Sequence, residues 1–301
     1  MRRPSLATRR VRRAWLLLVP MLLVLALVGG WPLARTVWFS FTDAELSLPG
    51  EQVFVGLENY VGEYGLLWSA EWWQSVRNTL VFVVLSVSLE TVFGLGVALL
   101  LNQPSRLQTA LRAAVLVPWA IPTVVSAKMW SWMLHDPYGI VNHQLLALGL
   151  IAAPLSWTAD PQRSLLSIVA VDVWKSTPYM ALLILAALQM VPADRIEAAR
   201  VDGVPRGTVF SRVTLPLIMP GLLVAVVFRT LDAMRVCDLI DVMTSNSRDT
   251  RSMSVFVREQ LIDFGLVGYG SAASTMLFFI VALLTVAALA MMRNTLARSA
   301  A

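Results

Sequence analysis

Eight ionisable residues lie within otherwise apolar stretches of this 301-residue chain, where charged side chains are unusual. Four are acids and four are bases: Glu90, Lys128, Asp172, Lys175, Arg229, Asp232, Arg235 and Asp238. Each costs about 2.5–3.5 kcal/mol at the centre of a lipid bilayer, so positions that face lipid are disfavoured. The chemistry open to such residues is ion pairing between helices, or polar contact with a solute in a cavity.

Spacing leaves both of these interpretations open. Glu90, Lys175 and Arg229 each lie roughly 16–18 Å into an apolar segment, at a helical rise of 1.5 Å per residue. A series at three-residue intervals comprises Arg229, Asp232, Arg235, Asp238 and Asp241. Neighbours of this spacing can pair on one helix. The step nevertheless drifts about 60° per repeat, so the five side chains cannot all line one narrow path.

Residues arranged for catalysis are absent from the sequence. The two histidines, His135 and His143, and the single cysteine, Cys237, form no metal-ligand spacing and no nucleophile–base motif. No Walker A lysine motif occurs, so we do not expect the chain to hold ATP by that route. The sequence predicts no catalytic residue, and no metal or cofactor bound by this chain.

Composition indicates an all-α polytopic membrane protein. Apolar residues make up 57% of the chain and charged residues 14%, whereas soluble domains have roughly 25% charged residues. A membrane span needs about 20 predominantly apolar residues. Six segments qualify: Trp15–Phe39, Asn78–Leu101, Leu111–Leu134, Ser164–Val191, Leu217–Ile240 and Gly270–Met292. The shorter apolar stretch Leu145–Trp157 is predicted to form an interfacial or re-entrant helix outside the membrane.

Charge distribution predicts the orientation of these spans. Six arginines within the first 13 residues form a basic tail beside the first span, which indicates a cytoplasmic anchor and not nucleic-acid binding. Acidic residues dominate the segment 41–77, which should face outward, whereas both termini and the loop around Glu197 should face inward. The loop with Arg248, Arg251 and Arg258 is the one exception. The predicted segments are a tail 1–14, a first span 15–40, an external segment 41–77, a core 78–292 with a loop at 192–216, and a tail 293–301.

A short polar segment between two apolar ones, Glu197–Gly203, has the composition of a docking helix. Ala198 and Ala199 present small side chains, so another protein can approach the helix closely. Asp202 and Gly203 are suited to the turn that ends it, and Asp194 is a candidate N-cap. Glu197 can reach a basic or amide group on a partner.

The full register of this segment resembles a known signature. It is similar to E-A-A-x3-G-x9-I-x-L-P, the cytoplasmic loop of bacterial ATP-binding-cassette (ABC) importer permeases, with Val213 in place of Ile. Five further segments occur in order: Glu90–Asn102, Pro118–Pro122, Pro137–Asn142, Val173–Pro178 and Phe228–Arg235. Together they resemble carbohydrate-importer permeases of the maltose-, trehalose- and glycerol-3-phosphate-transporting type, in particular the first of the two paired permeases. Relatives typically have a Gly-rich outer loop where this chain has residues 244–249.

This resemblance implies a type I ABC importer-like permease with six transmembrane helices and both termini in the cytoplasm. The implied partners are a second permease, two ATPase subunits that carry ATP and Mg, an external substrate-binding protein and a carbohydrate, in a bacterial inner membrane. Glu197, Ala198, Ala199, Asp202 and Gly203 would form the coupling helix that docks on an ATPase subunit. Trp174 and Tyr179 become candidates for sugar stacking, although aromatic residues in a membrane bundle more often serve packing. The alternative function is a self-sufficient, ion-coupled secondary transporter, which would explain the intramembrane charges but not the Glu197 register; a membrane enzyme is a more distant alternative.

Overall fold

The computed structural model describes residues 6–48, 50–104, 106–245 and 247–299, with side chains omitted at 6–14, 200, 291 and 293–299. The arginines of the predicted basic tail and the C-terminal tail 293–301 therefore lie outside the described side chains. Within the described residues the fold is helical, and Thr42 and Phe54 form an isolated antiparallel β-bridge.

The helices follow one another in chain order with few long connections. The first six are α1 Leu6–Leu25, α2 Trp31–Phe39, α3 Glu58–Val61, α4 Ala70–Leu101, α5 Gln108–Ala120 and α6 Thr123–Met133. The next five are α7 Ile140–Ala147, α8 Ser164–Gln189, α9 Ala193–Val201, α10 Arg206–Val209 and α11 Leu215–Ala233. The last three are α12 Asp238–Thr244, α13 Met253–Arg258 and α14 Val267–Ser299. Two compact units result: residues 1–69 with 257–276, and residues 70–256 with 277–301.

Five stretches within the described residues are long and apolar enough to cross a membrane. They are Trp15–Phe39, Ala70–Leu101, Ser164–Gln189, Arg206–Ala233 and Val267–Ala290. The first and fourth predicted spans match these bounds to within two residues. The second is longer than predicted because its helix begins at Ala70, eight residues before Asn78.

The third predicted span, Leu111–Leu134, is not one straight helix. It consists of α5 and α6, whose axes differ by 85°. The break falls at Ile121, whose ψ of 132° is extended. Pro122 explains this conformation, because the ring of a proline disfavours the helical region for the residue before it. If the bent pair counts as one span, the total becomes six.

The fifth predicted span, Leu217–Ile240, is wrong at its C-terminal end. Helix α11 ends at Ala233, and α12 begins only at Asp238. The intervening turn is held from outside, since the Ser252 hydroxyl donates to the Val236 carbonyl at 2.7 Å. The series that starts at Arg229 therefore does not continue along one helix: Arg229 and Asp232 lie in α11, Arg235 lies in the turn, and Asp238 and Asp241 lie in α12.

The predicted helix at Leu145–Trp157 is also displaced. The structure has the eight-residue helix α7 at Ile140–Ala147 instead, and residues after Gly149 form turns. Asn142 fixes this geometry, because its side-chain amide donates to the carbonyls of Asp136 and Leu155 and accepts from Trp157 Nε1. A short-range apolar pattern carries no sign of such contacts.

Helices α4 and α8 form the closest pair in the larger unit. Phe82, Ile168, Met180 and Ile184 are fully buried between and beside them. Gly94 permits the approach, since a Cβ atom at this position would lie 2.8 Å from Met180 Cγ and 3.2 Å from the Ala181 backbone nitrogen. This contact lets α4 and α8 approach closely, and α11 packs against both helices.

Candidate functional site

A buried ion cluster joins the helices α4, α8 and α11. Arg229 of α11 is at its centre and makes two contacts with Glu90 of α4, Nε to Oε2 at 2.5 Å and Nη2 to Oε1 at 2.9 Å. Nη2 also donates to Asp172 Oδ2 of α8 at 2.5 Å. Arg229 Nη1 donates to Asp232 Oδ2, one helical turn away, at 2.9 Å.

Exposure differs sharply among the members of this cluster. The side chains of Glu90 and Arg229 are 0% and 3% exposed, whereas that of Asp232 is 70% exposed. A guanidinium has donors in a fixed planar fork, and all three nitrogens of Arg229 are engaged by carboxylates. Two-point pairing of this kind is strong and directional. Glu90 and Asp172 therefore fix the orientation of Arg229, and Asp232 extends the cluster into an open space.

That open space is a cavity of about 490 Å³. Its lining includes charged residues from α8, α11, the turn that follows α11, and the start of α12: Asp172, Lys175, Arg229, Asp232, Arg235 and Asp238. The break between α5 and α6 supplies a further wall through Trp119, Ile121 and Pro122. Irregular backbone at membrane depth is tolerated where it lines a cavity or is buried in protein, because its polar groups then find partners.

Lys175 connects the cavity to that break. Its ammonium group donates to the Ile121 carbonyl at 2.5 Å, and the residue as a whole is 9% exposed. Tyr179, one turn further along α8, stacks on Trp119 with ring centroids 5.8 Å apart. Trp174 lies elsewhere, in an edge-to-face pair with Trp130 at 5.5 Å.

The structure thus brings together most of the intramembrane residues that we predicted as candidates. Glu90, Arg229 and Asp232 are in the cluster, and Lys175 and Arg235 line the cavity. Trp174 is absent from the cavity lining, and its ring packs against another tryptophan. Sequence reasoning noted the charge of Asp172 but did not include it among the candidate pathway residues, although its position three residues before Lys175 on α8 was a usable signal. The partners Trp119 and Ile121 carried no charge and gave no such signal.

The segment predicted for docking forms a separate, exposed feature. Glu197 and Ala198 lie in α9 and are exposed, and Ala199 is half-buried. The helix ends at Val201, and Gly203 adopts a φ of +72°, a left-handed conformation that strains other residues. The Val204 N–H then donates to the Ala199 carbonyl at 3.1 Å, which is the closing bond of a Schellman turn. Asp194 is inside the first turn of the helix, so its prediction as the N-cap was wrong by at least one position.

The arginines that are exceptions to the positive-inside rule have ion-pair partners close by. Arg248 and Arg251 both pair with Glu71, at 2.6 and 2.9 Å. Arg258 pairs with Asp263 at 3.3 Å. Asn78 adds hydrogen bonds from its side-chain amide to the carbonyls of Arg248 and Arg251. Arg248 and Arg251 fasten the segment 247–251 to the start of α4, which gives them a structural role independent of membrane orientation.

Comparison with known proteins agrees with this architecture. Residues 90–298 match the family described as binding-protein-dependent transport system inner membrane component. The trehalose/maltose transport system permease protein MalF of Thermococcus litoralis is 39% identical over 283 residues, which cover 94% of each chain. The sulfoquinovosyl glycerol transport system permease protein SmoG of Agrobacterium fabrum is 35% identical and is matched over 88% of this chain and 85% of its own.

A solved structure has the same fold. A chain in the crystal structure of the bacterial alginate ABC transporter, in complex with an alginate pentasaccharide-bound periplasmic protein, superposes with a TM-score of 0.79. The match covers 95% of this chain and 97% of that one at 21% identity, so it concerns the fold.

These matches define a multi-pass membrane component of a transport system with a type I importer-like permease fold. The chain belongs to the family of binding-protein-dependent transport system inner membrane components. It is a permease subunit of an ABC importer, as the register around Glu197 predicts. The prediction of a transport subunit, in preference to an enzyme, is confirmed by this membership.

Proposed function

We propose that this permease forms half of the translocation pathway for a sugar or sugar-like solute in a bacterial inner membrane. In this proposal the chain crosses the membrane six times, the bent pair α5–α6 counts as one span, and both termini lie in the cytoplasm. The segment 41–77 lies outside, and the loop 192–216 lies inside. A second permease completes the pathway, and an external binding protein delivers the solute.

The observation that carries the proposal is the polar cavity of about 490 Å³ between otherwise apolar helices. Sugars present many hydroxyl groups, which both donate and accept hydrogen bonds. Carboxylates such as Asp232 and cations such as Arg235 offer complementary acceptors and donors at the cavity lining. The similarity to a trehalose/maltose permease and to a sulfoquinovosyl glycerol permease supports a carbohydrate as the class of solute.

Coupling to ATP hydrolysis is assigned to the exposed helix α9. Two separate ATPase subunits would bind ATP and Mg, and Glu197, Ala198, Ala199, Asp202 and Gly203 would form the surface that docks on one of them. The small side chains at 198 and 199 and the sharp turn at Gly203 support this assignment, because they allow close approach and a fixed exit for the chain.

Sugar uptake by the reconstituted transporter tests the proposal. The tagged chain is purified with its partner subunits, placed in liposomes with ATP inside, and supplied with the cognate binding protein and a panel of radiolabelled sugars. Trehalose, maltose, a sulfonated sugar glycoside and a uronate oligosaccharide form the panel. We expect ATP-dependent uptake of at least one of them. Uptake of none, by a complex that hydrolyses ATP in response to its binding protein, would contradict the assignment to carbohydrates.

The secondary-transporter alternative was based on the intramembrane charges. Glu90, Asp172 and Asp232 all pair with Arg229, so these charges do not favour ion coupling over ion pairing. The same liposomes would test it, since an ion gradient without ATP should then drive uptake by the purified chain alone.

A further inference from the structure

Two of the contacts between the broken span α5–α6 and α8 lie next to the break itself. Tyr179 stacks on Trp119 at the end of α5, with the ring planes 12° from parallel. Lys175, one turn before Tyr179, donates to the carbonyl of Ile121 in the break itself. The two contacts are therefore next to each other, and the bend of 85° lies directly beside them.

Lys175 stabilises a backbone group that the break leaves without a helical partner. Helix α5 ends at Ala120, and the extended backbone at Ile121 points its carbonyl away from any helical hydrogen bond. A lysine at the C-terminal end of a helix also interacts favourably with the helix dipole. Among the described residues, Ile121 is the hydrogen-bond acceptor that Lys175 uses.

The same ammonium group faces a second set of potential partners. Lys175 lines the cavity together with Asp172 and Ser176. An ammonium has three donors, and one of them is used on Ile121. A hydroxyl-bearing solute in the cavity can therefore accept from the remaining donors of Lys175 while the bond to Ile121 is kept.

We propose that Lys175 is a latch: it holds the bend of α5–α6 against α8 with the same ammonium group that a solute in the cavity can contact. Lys175 is thus a positioning residue of the transport cycle, and it acts through the backbone at Ile121. The inference rests on the proposed function, in that the cavity belongs to the translocation pathway.

The single cysteine of the chain provides a direct reporter for this latch. Cys237 lines the same cavity, so its rate of alkylation by N-ethylmaleimide in the purified, solute-free complex reports how open the cavity is. We expect Lys175→Met to raise this rate by roughly tenfold, the factor that corresponds to losing one charge-assisted hydrogen bond. Lys175→Arg keeps a donor and should restore a rate close to that of the unchanged chain.

Arg235→Met is the matched control for charge. It removes a positive charge that also lines the cavity and lies two residues from Cys237, but Arg235 has no contact with the break in the described structure. We expect no acceleration in this variant. Acceleration of equal size in Arg235→Met and Lys175→Met would overturn the latch, because the effect would then not depend on the contact with Ile121.

A double variant tests whether Lys175 acts through the break. Pro122→Ala removes the ring that keeps Ile121 out of the helical conformation, so α5 can continue through the break. This change should by itself raise the alkylation rate of Cys237. If Lys175 acts at Ile121, adding Lys175→Met to Pro122→Ala should have little further effect, since the two changes then remove the same interaction. Additive effects would overturn the proposal. Lys175→Leu, which likewise has no donor, replaces the Met variant if that complex does not assemble.

The alkylation assay tests the latch and the uptake assay tests the proposed substrate, so each proposal can fail separately. A complex that imports no sugar but shows the expected alkylation rates would contradict the proposed substrate and leave the latch in place. A complex that imports sugar while Lys175→Met is alkylated at the unchanged rate would overturn the latch alone.

Discussion

Arg229 is the residue on which the buried charges depend. Among the described residues, it is the cation that contacts Glu90, Asp172 and Asp232, and its own side chain is 3% exposed. Removing one partner of a buried ion pair typically costs 3–5 kcal/mol, because the remaining charge is left without compensation. Here the loss of Arg229 would strand two buried carboxylates at once.

We therefore expect Arg229→Met to reduce assembly of the complex strongly, and Arg229→Met with Glu90→Gln and Asp172→Asn to recover much of it. Gel filtration of the co-purified complex and its thermal unfolding temperature would measure both effects. Asp232→Asn is the control, since a pair with a 70% exposed carboxylate should contribute about 0–1 kcal/mol. If Glu90→Gln alone restores assembly in the Arg229→Met variant, the unpaired carboxylate of Asp172 does not contribute to the loss.

At the scale of elements, the contact between α4 and α8 depends on Gly94, which has no side chain. A Cβ at Gly94 would be 3.1 Å from Met180 Cβ and 3.2 Å from the Ala181 backbone, neither of which is the far end of a flexible chain. Gly96, half a turn away on the same helix, has nothing within 4 Å of the same position.

The pair Gly94→Ala and Gly96→Ala makes this a matched test. We expect Gly94→Ala to destabilise the complex by about 1–3 kcal/mol, as overpacking does. Gly96→Ala should be neutral or slightly stabilising, because alanine has the higher helix propensity. Thermal unfolding of the two purified variants would decide, and equal unfolding temperatures would mean that the helices separate easily at Gly94.

Helix α9 carries the prediction on coupling. Valine at Gly203 would have to adopt a φ of +72°, a conformation that costs roughly 1–2 kcal/mol for residues with a Cβ. We expect Gly203→Val to misdirect the turn and lower ATPase activity that depends on the binding protein, and Glu197→Arg to lower it by reversing the docking charge. The complex should still insert into the membrane.

Gly207→Val is the control for Gly203→Val, since Gly207 lies close by in α10 with open space around its Cβ position and no positive φ. Stimulated ATPase activity in Gly203→Val and Glu197→Arg equal to that of the Gly207 variant would show that α9 is a solvated connector.

Sequence patterns predicted the helices better than their breaks. Length and apolar content were enough to predict the first and fourth spans, because a helix makes its backbone hydrogen bonds within its own segment and does not depend on distant residues for them. The break at Ile121 was signalled by Pro122, whereas the turn after Ala233 depends on a hydroxyl from Ser252, distant in sequence. The pairing of Arg229 with Glu90 likewise could not be predicted from a local pattern, since Glu90 lies 139 residues before Arg229. Charge at span midpoints indicated that such pairs exist, but not which residues meet.

At the scale of the whole molecule, orientation is the property that joins the two proposed roles. The cavity must open to either side in turn, while α9 must lie on the side where ATP is present. Reporters fused after Asn102 and Gly203 should be cytoplasmic, and one fused after Glu58 should be external. Alkaline phosphatase and green fluorescent protein fusions would measure this. An external signal after Gly203 would remove the basis for assigning α9 to an ATPase subunit, whatever the uptake assays show.

The bend at Ile121 also constrains how the protein is made. Helices α5 and α6 have 13 and 11 residues, or about 20 and 16 Å of helix, and neither alone crosses a hydrocarbon layer of about 30 Å. The Ile121 carbonyl obtains its hydrogen bond from Lys175, which is synthesised 54 residues later. At roughly 5–20 residues per second, the ribosome needs about 3–10 s to supply it. A bare carbonyl in lipid costs several kcal/mol during that interval. We therefore expect the bent pair α5–α6 to remain beside the insertion machinery until α8 has been synthesised, and to enter the bilayer together with it.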